Sequence, residues 1–548
     1  MNAIGVPFPK NRWGEYVGYK TDHDPARRAT SVGPYTSKCM TECLERAVQR
    51  DGIPVLDGLL VIRILQHEGA VCGLLCLDVD HCEDPEERFV LIRCSNVIWA
   101  TGGPAGMYAD SVYPFGQYGA SGIAFAAGAA GQNLTEWQFG LASVMPRWNV
   151  SGSYMQAIPR FFSTDASGGD LREFLNDTLT DMAALQSLIF LKGYQWPFDV
   201  RKAADGSSLL DLLVWREEQK GRKVYLDYTQ NPGGGPVDFG ALAPEARAYL
   251  QKAGACLATP FERLLRLNEP AVAFYREKGV DLRRQPLQIA LCAQHNNGGL
   301  AVNAWWETSV RGLFAAGEAA GTHGVYRPGG TALNAGQVGS ARAAQYIAAC
   351  RRNTEMPDED FDAPAQEALA WAQAMAEQVL ANRDGTPVRQ CWQRAATRMS
   401  RTGGAVRDPV QIEKALCQTQ AELGSLERTV TVTEPSRLRL VFRLWDMLLC
   451  QTVYLSAMLD YIRHGGKSRG SALYIDPTAP RPGAVLPDDL RFHLDDGTGN
   501  DQIQMARLCK GQVVCSWRKV RSLPQDDDFF ENVWRGWREN KNIDEETL

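Results

Sequence analysis

The chain has 548 residues, and its formal net charge at pH 7 is -6. A chain this long exceeds the size of a single hydrophobic core, so we expect about three or four domains or lobes. The sequence is 45% hydrophobic and 22% charged, which is typical of globular proteins and argues against long disordered stretches. The acidic balance offers no electrostatic basis for nucleic-acid binding.

Targeting and metal-binding signals are absent from the sequence. Residues 1–10 show no basic segment followed by an apolar one, so we expect a cytoplasmic location. The most apolar helical candidate, 437–463, is interrupted by Arg443, Asp446 and Asp460, so no transmembrane segment is expected. The 14 cysteines are scattered without metal-ligand spacing, so we expect most to be small buried side chains and predict no metal site.

The first elements in the chain are a helix followed by strands. Apolar residues at helical spacing predict a helix over 36–50. Three β-rich runs follow, at 59–65, 71–79 and 89–100. Together they predict a small antiparallel insert that leads into a buried strand.

The end of that buried strand is the first chemical landmark. Residues 96–100 run directly into Thr101, Gly102 and Gly103. Glycine at such a point allows the backbone to approach a ligand closely. A helix is predicted shortly afterwards, over 122–130.

The middle of the chain is predicted to be an inserted lobe. From 147 to 286 helical stretches alternate with turn-rich segments, which predicts a mixed α+β cap. From 287 to 352 the sequence returns to strand, glycine-rich turn and helix, as an α/β nucleotide-binding domain does after an insertion. Three further helices are predicted, at 362–383, 410–427 and 437–463.

The C-terminal segment carries an aromatic stripe. Phe530, Val533, Trp534 and Trp537 follow helical spacing and predict a short amphipathic helix. We expect the stripe to dock on this chain, with a partner subunit as the alternative.

The strongest chemical signal lies between the cap and the C-terminal helices. Residues 311–318 (RGLFAAGE) predict a short buried strand that ends in a glycine and an acid. They are followed by 321–334 (GTHGVYRPGGTALN) and a helix predicted over about 335–350. This order resembles the superfamily of the succinate dehydrogenase and fumarate reductase flavoproteins and L-aspartate oxidase, in which a Gly-Glu pair precedes His-Gly-x-x-Arg, a glycine pair and a helix.

The resemblance implies FAD as the cofactor and hydride transfer between flavin and a small carboxylate-bearing substrate. Backbone groups at the helix start would stabilise negative charge on a reduced flavin. The residues expected to bind the cofactor are Thr101, Gly102, Gly103, Gly317, Glu318, Gly330, Ala332, Leu333 and Asn334. In the family, the arginine that matches Arg327 holds the substrate carboxylate.

Several positions depart from the family pattern. The matching residues are Gly140 for a substrate histidine and Leu210 for a proton-donating arginine, and His295 is one residue out of register with a family histidine. Because an alkyl side chain cannot transfer a proton, we expect a substrate other than fumarate. The candidates for proton transfer are His323, His295 and Arg201, and Arg147 and Arg160 are candidates for binding anions at the cap entrance.

The family's first strand, G-x-G-x-x-G turn and helix are not found in this sequence. Three explanations stay open: the chain is a shortened reading of a longer gene, which we favour, a separate polypeptide supplies the segment, or FAD binding has been lost. The last two alternatives would make the chain a non-catalytic or incomplete subunit.

The expected architecture is therefore an α/β fold: an incomplete Rossmann-like FAD-binding domain with an inserted α+β capping domain and a C-terminal helical domain. The chain carries no ferredoxin-like cysteine run, so we expect electrons to leave through a partner subunit or an electron carrier. The predicted segments are 1–146 and 287–352 for the FAD-binding domain, 147–286 for the cap, 353–470 for the helical domain and 471–548 for the tail.

Overall fold

A computed structural model describes residues 1–21, 24–351, 357–483, 485–522, 529–539, 541 and 543. The α-helices in this part of the chain are α1 (Thr36–Arg50), α2 (Ser121–Ala126), α3 (Ser153–Gln156), α4 (Met182–Lys192), α5 (Ser208–Gln219), α6 (Pro244–Lys252), α7 (Pro260–Leu267), α8 (Glu269–Glu277), α9 (Thr331–Cys350), α10 (Asp358–Ala381), α11 (Val388–Thr402), α12 (Pro409–Gly424), α13 (Leu426–Thr429), α14 (Leu438–Arg463) and α15 (Phe530–Arg538).

The strands are β1 (Tyr19–Thr21), β2 (Asp24–Ala29), β3 (Leu59–His67), β4 (Ala70–Asp78), β5 (Phe89–Arg93), β6 (Val97–Trp99), β7 (Gly131–Gln132), β8 (Trp137–Ser143), β9 (Trp148–Asn149), β10 (Arg160–Thr164), β11 (Lys223–Asp227), β12 (Leu287–Asn296), β13 (Gly299–Leu300), β14 (Leu313–Ala315), β15 (Thr386–Pro387), β16 (Val406–Arg407), β17 (Val430–Thr431), β18 (Leu473–Tyr474), β19 (Gln502–Cys509) and β20 (Gln512–Lys519).

The predicted antiparallel insert is the three-stranded sheet β3-β4-β5. The expectation of one strand over 89–100 is wrong in detail, because this run is divided between two sheets. Residues 89–93 pair antiparallel with β4, whereas residues 97–99 pair parallel with β14. Both halves are β-rich, and the change of partner leaves no signal in hydrophobic spacing alone.

The element predicted to bind the nucleotide contains the parallel pair β6 and β14 and helix α9. Helix α9 begins at Thr331, four residues before the predicted start at 335. The chain turns into the helix at Gly330, whose backbone is left-handed with φ 85°, and the Thr331 hydroxyl donates a 2.7 Å hydrogen bond to the Pro328 carbonyl. These turn contacts allow the helix to begin directly after the glycine pair.

The predicted cap, 147–286, contributes β9, β10 and β11 to a five-stranded antiparallel sheet of order β10-β11-β12-β8-β9, which we call the cap sheet. Strands β8 and β12 come from the flanking segments predicted for the FAD-binding domain. Strands β8 and β12 pair over seven register positions, and a bulge between Ala293 and His295 sets His295 opposite Gln138. A bulge lets two successive residues face one residue of the partner strand. This irregularity therefore decides which side chains of β12 meet those of β8.

The helices α10, α11, α12 and α14 form the C-terminal helical region, and α11 was not predicted from the sequence. Helix α14 spans 26 residues and is mostly buried. Its Asp446 carboxylate accepts a 2.9 Å hydrogen bond from the backbone N–H of Ile123 in α2, which ties the helical region to the α/β element. Of the helices described, none combines the length and the apolar character that crossing a bilayer requires.

The described part of the C-terminal segment contains strands β18, β19 and β20 and the short helix α15. Strands β19 and β20 form a hairpin, and β19 pairs with β7 in a four-stranded sheet. The aromatic stripe of α15 stays exposed, with 48% to 69% of each side chain accessible, so the expectation that it docks on this chain is wrong for the described residues. No hydrophobic surface of the described chain covers it. The predicted boundary at 352/353 lies outside the described residues, and the domain bounds stay a prediction.

Candidate functional site

Two predicted cofactor-binding segments meet at the carboxyl ends of the parallel strands. Thr101, Gly102 and Gly103 follow β6, and Gly317 and Glu318 follow β14. Because neighbouring parallel strands end at the same sheet edge, these turns lie side by side. An added Cβ at Gly103 would lie 2.5 Å from Glu318 Oε1, so the glycine is required for this close approach.

Glu318 is anchored by groups that the sequence did not reveal. Its Oε1 accepts a 2.7 Å hydrogen bond from the backbone N–H of Asn296, and the Tyr113 hydroxyl donates to the same oxygen. Burial raises the pKa of the Glu318 carboxyl to about 7, against the lowering effect of these hydrogen bonds. The carboxyl group is thus held in a fixed position and close to its protonation midpoint at neutral pH.

The first turn of α9 completes this cluster. Gly330 precedes the helix, and Ala332, Leu333 and Asn334 form its first turn. No side chain caps this turn, so its backbone N–H groups are available to an anionic or polar ligand. Gly336 packs against Gly317, with 3.6 Å from the position of an added Cβ to the Gly317 Cα.

The donor set fits part of a dinucleotide cofactor. Uncapped helical N–H groups, glycine turns that allow close approach and a fixed carboxyl group can bind phosphate, flavin or ribose groups of FAD through backbone and side-chain hydrogen bonds. All nine residues predicted to bind the cofactor belong to β6, β14, α9 or the turns beside them.

Arg327 is a buried cation held by one side chain. It is 7% exposed. The Gln138 Oε1 accepts from its Nε at 2.9 Å and also from its Nη2, and the Gln138 Nε2 donates to the Arg327 carbonyl at 3.0 Å. Nη1 donates a longer bond, 3.3 Å, to the Pro328 carbonyl. Within the described part of the chain, one N–H on each terminal nitrogen is left for a ligand, and these two N–H groups match the spacing of a carboxylate.

His295 and His323 lie beside Arg327 with their rings in contact. The ring centroids are 4.7 Å apart and the planes meet at 82°. Burial lowers the pKa of His295 well below its usual range and lowers that of His323 to about 4, and the Arg327 charge adds to both effects. Both imidazoles are therefore neutral near pH 7.

The tautomer of His295 follows from its neighbour. Asn297 donates from Nδ2 to the Val325 carbonyl at 3.3 Å, which directs its Oδ1 to His295 Nδ1 at 3.0 Å. Since an amide oxygen only accepts, Nδ1 carries the proton and Nε2 carries a lone pair. This Nε2 is buried and has no hydrogen-bond partner within the described residues, and the same holds for His323 Nε2.

Arg201 reaches the site from the cap but is already paired. Its guanidinium makes a two-pronged contact with Asp199, with 2.6 Å between Nη2 and Oδ2, and lies 3.9 Å from the centroid of the Tyr326 ring. The structure thus brings Arg201 next to the residue that precedes Arg327. Its predicted part in proton transfer stays a prediction.

The departures from the family pattern have structural explanations. An added Cβ at Gly140 would lie 2.8 Å from Trp196 Nε1 and 2.9 Å from Gln294 Nε2, so these two side chains leave no room for a histidine. Leu210 is fully buried within α5. The next residue, Asp211, forms a buried ion pair with Lys192 at 2.6 Å.

The two arginines expected at the cap entrance contact acidic side chains and backbone carbonyls of this chain. Arg147 donates to the carbonyls of Tyr113 and Ala109 at 3.0 and 2.8 Å. Arg160 lies 3.6 Å from Asp227 and 3.7 Å from Glu173. These contacts argue against a role in substrate binding. Within the described ranges no cluster of three or more histidine, cysteine, aspartate or glutamate side chains could hold a metal ion.

Comparison with known proteins supports the predicted resemblance to FAD-binding proteins. The FAD binding domain family matches residues 5–333, which is more than half of the chain. L-aspartate oxidase of Agrobacterium fabrum is 28% identical over 353 residues, 64% of this chain and 57% of that protein. One of the subunits of the fumarate reductase (CoM/CoB) of Methanothermobacter marburgensis is 27% identical over 320 residues, 58% of this chain and 50% of that protein. The matched part of the chain thus spans 57% and 50% of the length of these two relatives.

Solved structures share the fold. FrdA of Escherichia coli quinol fumarate reductase superposes with a TM-score of 0.66 at 18% identity, covering 96% of this chain and 82% of that one. Mycobacterium smegmatis Sdh1 in complex with UQ1 gives a TM-score of 0.66 at 18% identity, covering 98% and 82%. The predicted α/β fold class, the resemblance and FAD as the family's cofactor are confirmed. By the match over residues 5–333, this chain belongs to the FAD binding domain family.

Proposed function

We propose that the chain is the catalytic part of an FAD-dependent oxidoreductase acting on a small carboxylate-bearing substrate. The observation that carries the proposal is the buried Arg327, held by Gln138 beside two neutral histidines with unpaired nitrogens. FAD, when bound, supplies the acceptor or donor of a hydride. The residues predicted to hold it are those at the ends of β6 and β14 and at the start of α9.

Arg327 binds and orients the substrate. Its two remaining N–H groups donate to a carboxylate in a planar, two-pronged contact, which a lysine cannot reproduce. Gln138 limits the rotation of the guanidinium, so the substrate carbon is presented in one orientation. Burial keeps water away and strengthens the charge interaction.

His295 moves the proton that accompanies the hydride. Its Nε2 lone pair accepts a proton from the substrate in the oxidising direction and returns it in the reducing direction. Asn297 holds the ring in the tautomer that this role requires. His323, whose Nε2 is also unpaired, is the second candidate, and Arg201 is the third.

An electron-accepting partner and a cytoplasmic location complete the proposal. The similar fumarate reductase (CoM/CoB) protein is named as one of its enzyme's subunits, which supports a partner subunit or electron carrier for this chain. The rival proposal is a non-catalytic subunit that needs a partner or a further dinucleotide-binding segment. Leu210 and Gly140, which stand where relatives carry ionisable groups, favour the rival.

The proposals differ in what the purified chain does with FAD. In the first experiment, the FAD-supplemented protein is reduced with dithionite without oxygen, and we expect unsaturated or oxo carboxylates to reoxidise its flavin. In the second, the oxidised protein is mixed with the corresponding saturated or hydroxy carboxylates, and we expect its flavin to be bleached. One of the two reactions is expected to occur. Arg327→Lys should abolish either reaction, whereas the exposed control Arg283→Lys should not. A protein that holds FAD and reacts with no carboxylate in either direction would support the rival.

A further inference from the structure

We propose that the substrate is a small monocarboxylate with a hydroxyl group, and that Trp196 and Gln294 determine this specificity by binding the hydroxyl. The inference rests on the function proposed above and adds the substrate class. It starts from buried hydrogen-bonding atoms that have no partner in the described residues: Trp196 Nε1, Gln294 Oε1 and His295 Nε2.

These atoms lie on the face of the cap sheet that holds Arg327. Along β8, Gln138 and Gly140 are two residues apart and therefore point to the same face. The bulge in β12 places His295 opposite Gln138, while the Gln294 amide lies 2.9 Å from the position of an added Cβ at Gly140. Trp196 Nε1 approaches the same position at 2.8 Å. The guanidinium, the imidazole and the two unpaired groups thus lie along one face of the paired strands β8 and β12.

The donor or acceptor character of each atom is fixed. Gln294 donates from Nε2 to the Leu141 carbonyl at 3.2 Å, so its free Oε1 is an acceptor. The indole Nε1 of Trp196 only donates, and His295 Nε2 is an acceptor because Asn297 occupies Nδ1. Gln294 is 8% exposed and His295 5%, so leaving these atoms unpaired costs free energy that a ligand recovers.

A hydroxyl group matches this set and the alternatives do not. It accepts one hydrogen bond from Trp196 and donates one to an acceptor. A second carboxylate has no proton to donate and would face the lone pairs of Gln294 and His295. An ammonium group has no acceptor for the indole N–H.

The charges in the site also favour a substrate with a single carboxylate. Arg327 is one positive charge, both histidines are neutral, and the charge of Arg201 is matched by Asp199. Glu318, which is close to its protonation midpoint at neutral pH, offsets the charge of Arg327 only in part. A single, partly offset cation favours one carboxylate over two.

The oxidation of a hydroxy acid balances in atoms and electrons with FAD as the oxidant. In the bound state the hydroxyl proton would be held by Gln294 Oε1, and in the reaction it would pass to His295 Nε2. The C–H bond of the same carbon would break with its electron pair leaving as a hydride, which bound FAD would accept, and the carbon–oxygen bond would become a carbonyl. The products would be an oxo acid, the imidazolium and the two-electron-reduced cofactor. No further reactant is needed for this half-reaction.

The test is calorimetric titration of the full chain with added FAD that is kept reduced without oxygen, so that hydroxy acids bind without being oxidised. The ligands are propionate, lactate, 3-hydroxypropionate, alanine and malonate. At least one hydroxy acid should bind about tenfold more tightly than propionate, because it pairs buried polar groups. Trp196→Phe and Gln294→Leu should each reduce this ratio to about threefold or less while the affinity for propionate stays unchanged. Trp371→Phe, a tryptophan change in α10, is the matched control.

Each outcome separates the inference from the proposed function. Equal binding of propionate and the hydroxy acids, or tightest binding of malonate or alanine, would overturn the inference; if Arg327→Lys then abolished all binding, the proposed function would stand. If no carboxylate bound to the folded protein, both would be wrong. A selectivity ratio that survived Trp196→Phe and Gln294→Leu would also overturn the assignment of these residues.

Discussion

Gln138 holds Arg327 from both ends: its Oε1 accepts from the guanidinium, with 2.9 Å to Nε, and its Nε2 donates to the Arg327 carbonyl at 3.0 Å. A single side chain of the cap sheet thus fixes both the backbone and the charge of the predicted substrate-binding residue. The function proposed for this chain depends on that contact.

Removing the contact should weaken both folding and binding. Gln138→Leu leaves a buried guanidinium without its main acceptor, so we expect a loss of about 1–3 kcal/mol in the free energy of unfolding. Carboxylate affinity should fall by about tenfold or more, because the guanidinium is no longer oriented. Urea unfolding and calorimetric titration measure the two effects. The exposed Gln251→Leu should change neither, and an unchanged affinity in Gln138→Leu would contradict the positioning role.

The neutral state of His323 predicts a pH dependence. Its pKa is lowered to about 4 by burial and by Arg327, from 6.5 for an ordinary histidine. The unfolded chain therefore binds the proton more readily, and stability is lost as the pH falls from 6.5 towards 4. His323→Gln should remove this part of the acid sensitivity. Urea midpoints between pH 4 and 7 for the two proteins provide the comparison, and parallel curves would show that His323 is not buried as a neutral group.

The buried Glu318 predicts a pH dependence of stability with the opposite sign. Burial raises its pKa to about 7 from 4.5, so the folded state holds the proton more tightly than the unfolded chain. Its contribution to stability is fully present below pH 4.5 and is lost as the pH rises towards 7. Glu318→Gln keeps an oxygen for the Asn296 N–H and removes the ionisation. In the absence of FAD, the variant should gain stability relative to the parent between pH 4.5 and 7; a constant difference would contradict the shifted pKa.

The buried pair of Lys192 and Asp211 should be needed as a pair. Both side chains are at most 1% exposed and lie 2.6 Å apart. Lys192→Met leaves an uncompensated buried carboxylate, and we expect it to cost about 3–5 kcal/mol. Replacing both, with Lys192→Met and Asp211→Leu, should recover most of that loss. Thermal unfolding of the single and double variants gives the coupling, and additive losses would show that the pair is not energetically linked.

Part of this site could be predicted from the sequence and part could not. The family and the residues at the sheet edge could be predicted from one run of sequence: a strand, Gly317-Glu318 and the segment that ends at Asn334. These elements follow one another along the chain, so their order can be identified without knowing the fold. The helices α1, α10, α12 and α14 followed from apolar spacing. These features depend on short-range patterns.

The missed features depend on contacts distant in the chain. Tyr113 reaches Glu318 across 205 positions, and Trp196 meets Gly140 from another loop of the cap. A bulge decides that both Gln294 and His295 face Gln138 and Gly140, and neither residue type nor spacing signals it. The exposure of α15 was missed because an amphipathic stripe shows which face is apolar but not what covers it.

The measurement that tests the central claim most directly is the visible absorption spectrum of the purified chain with FAD, recorded while propionate, which has no hydroxyl group to oxidise, is added. If a flavin and a carboxylate share the site beside Arg327, the bound flavin spectrum should shift and saturate, and Arg327→Lys should lose the shift while still binding FAD. A folded chain that takes up no FAD, or one whose flavin spectrum responds equally in the parent and in Arg327→Lys, would contradict the claim.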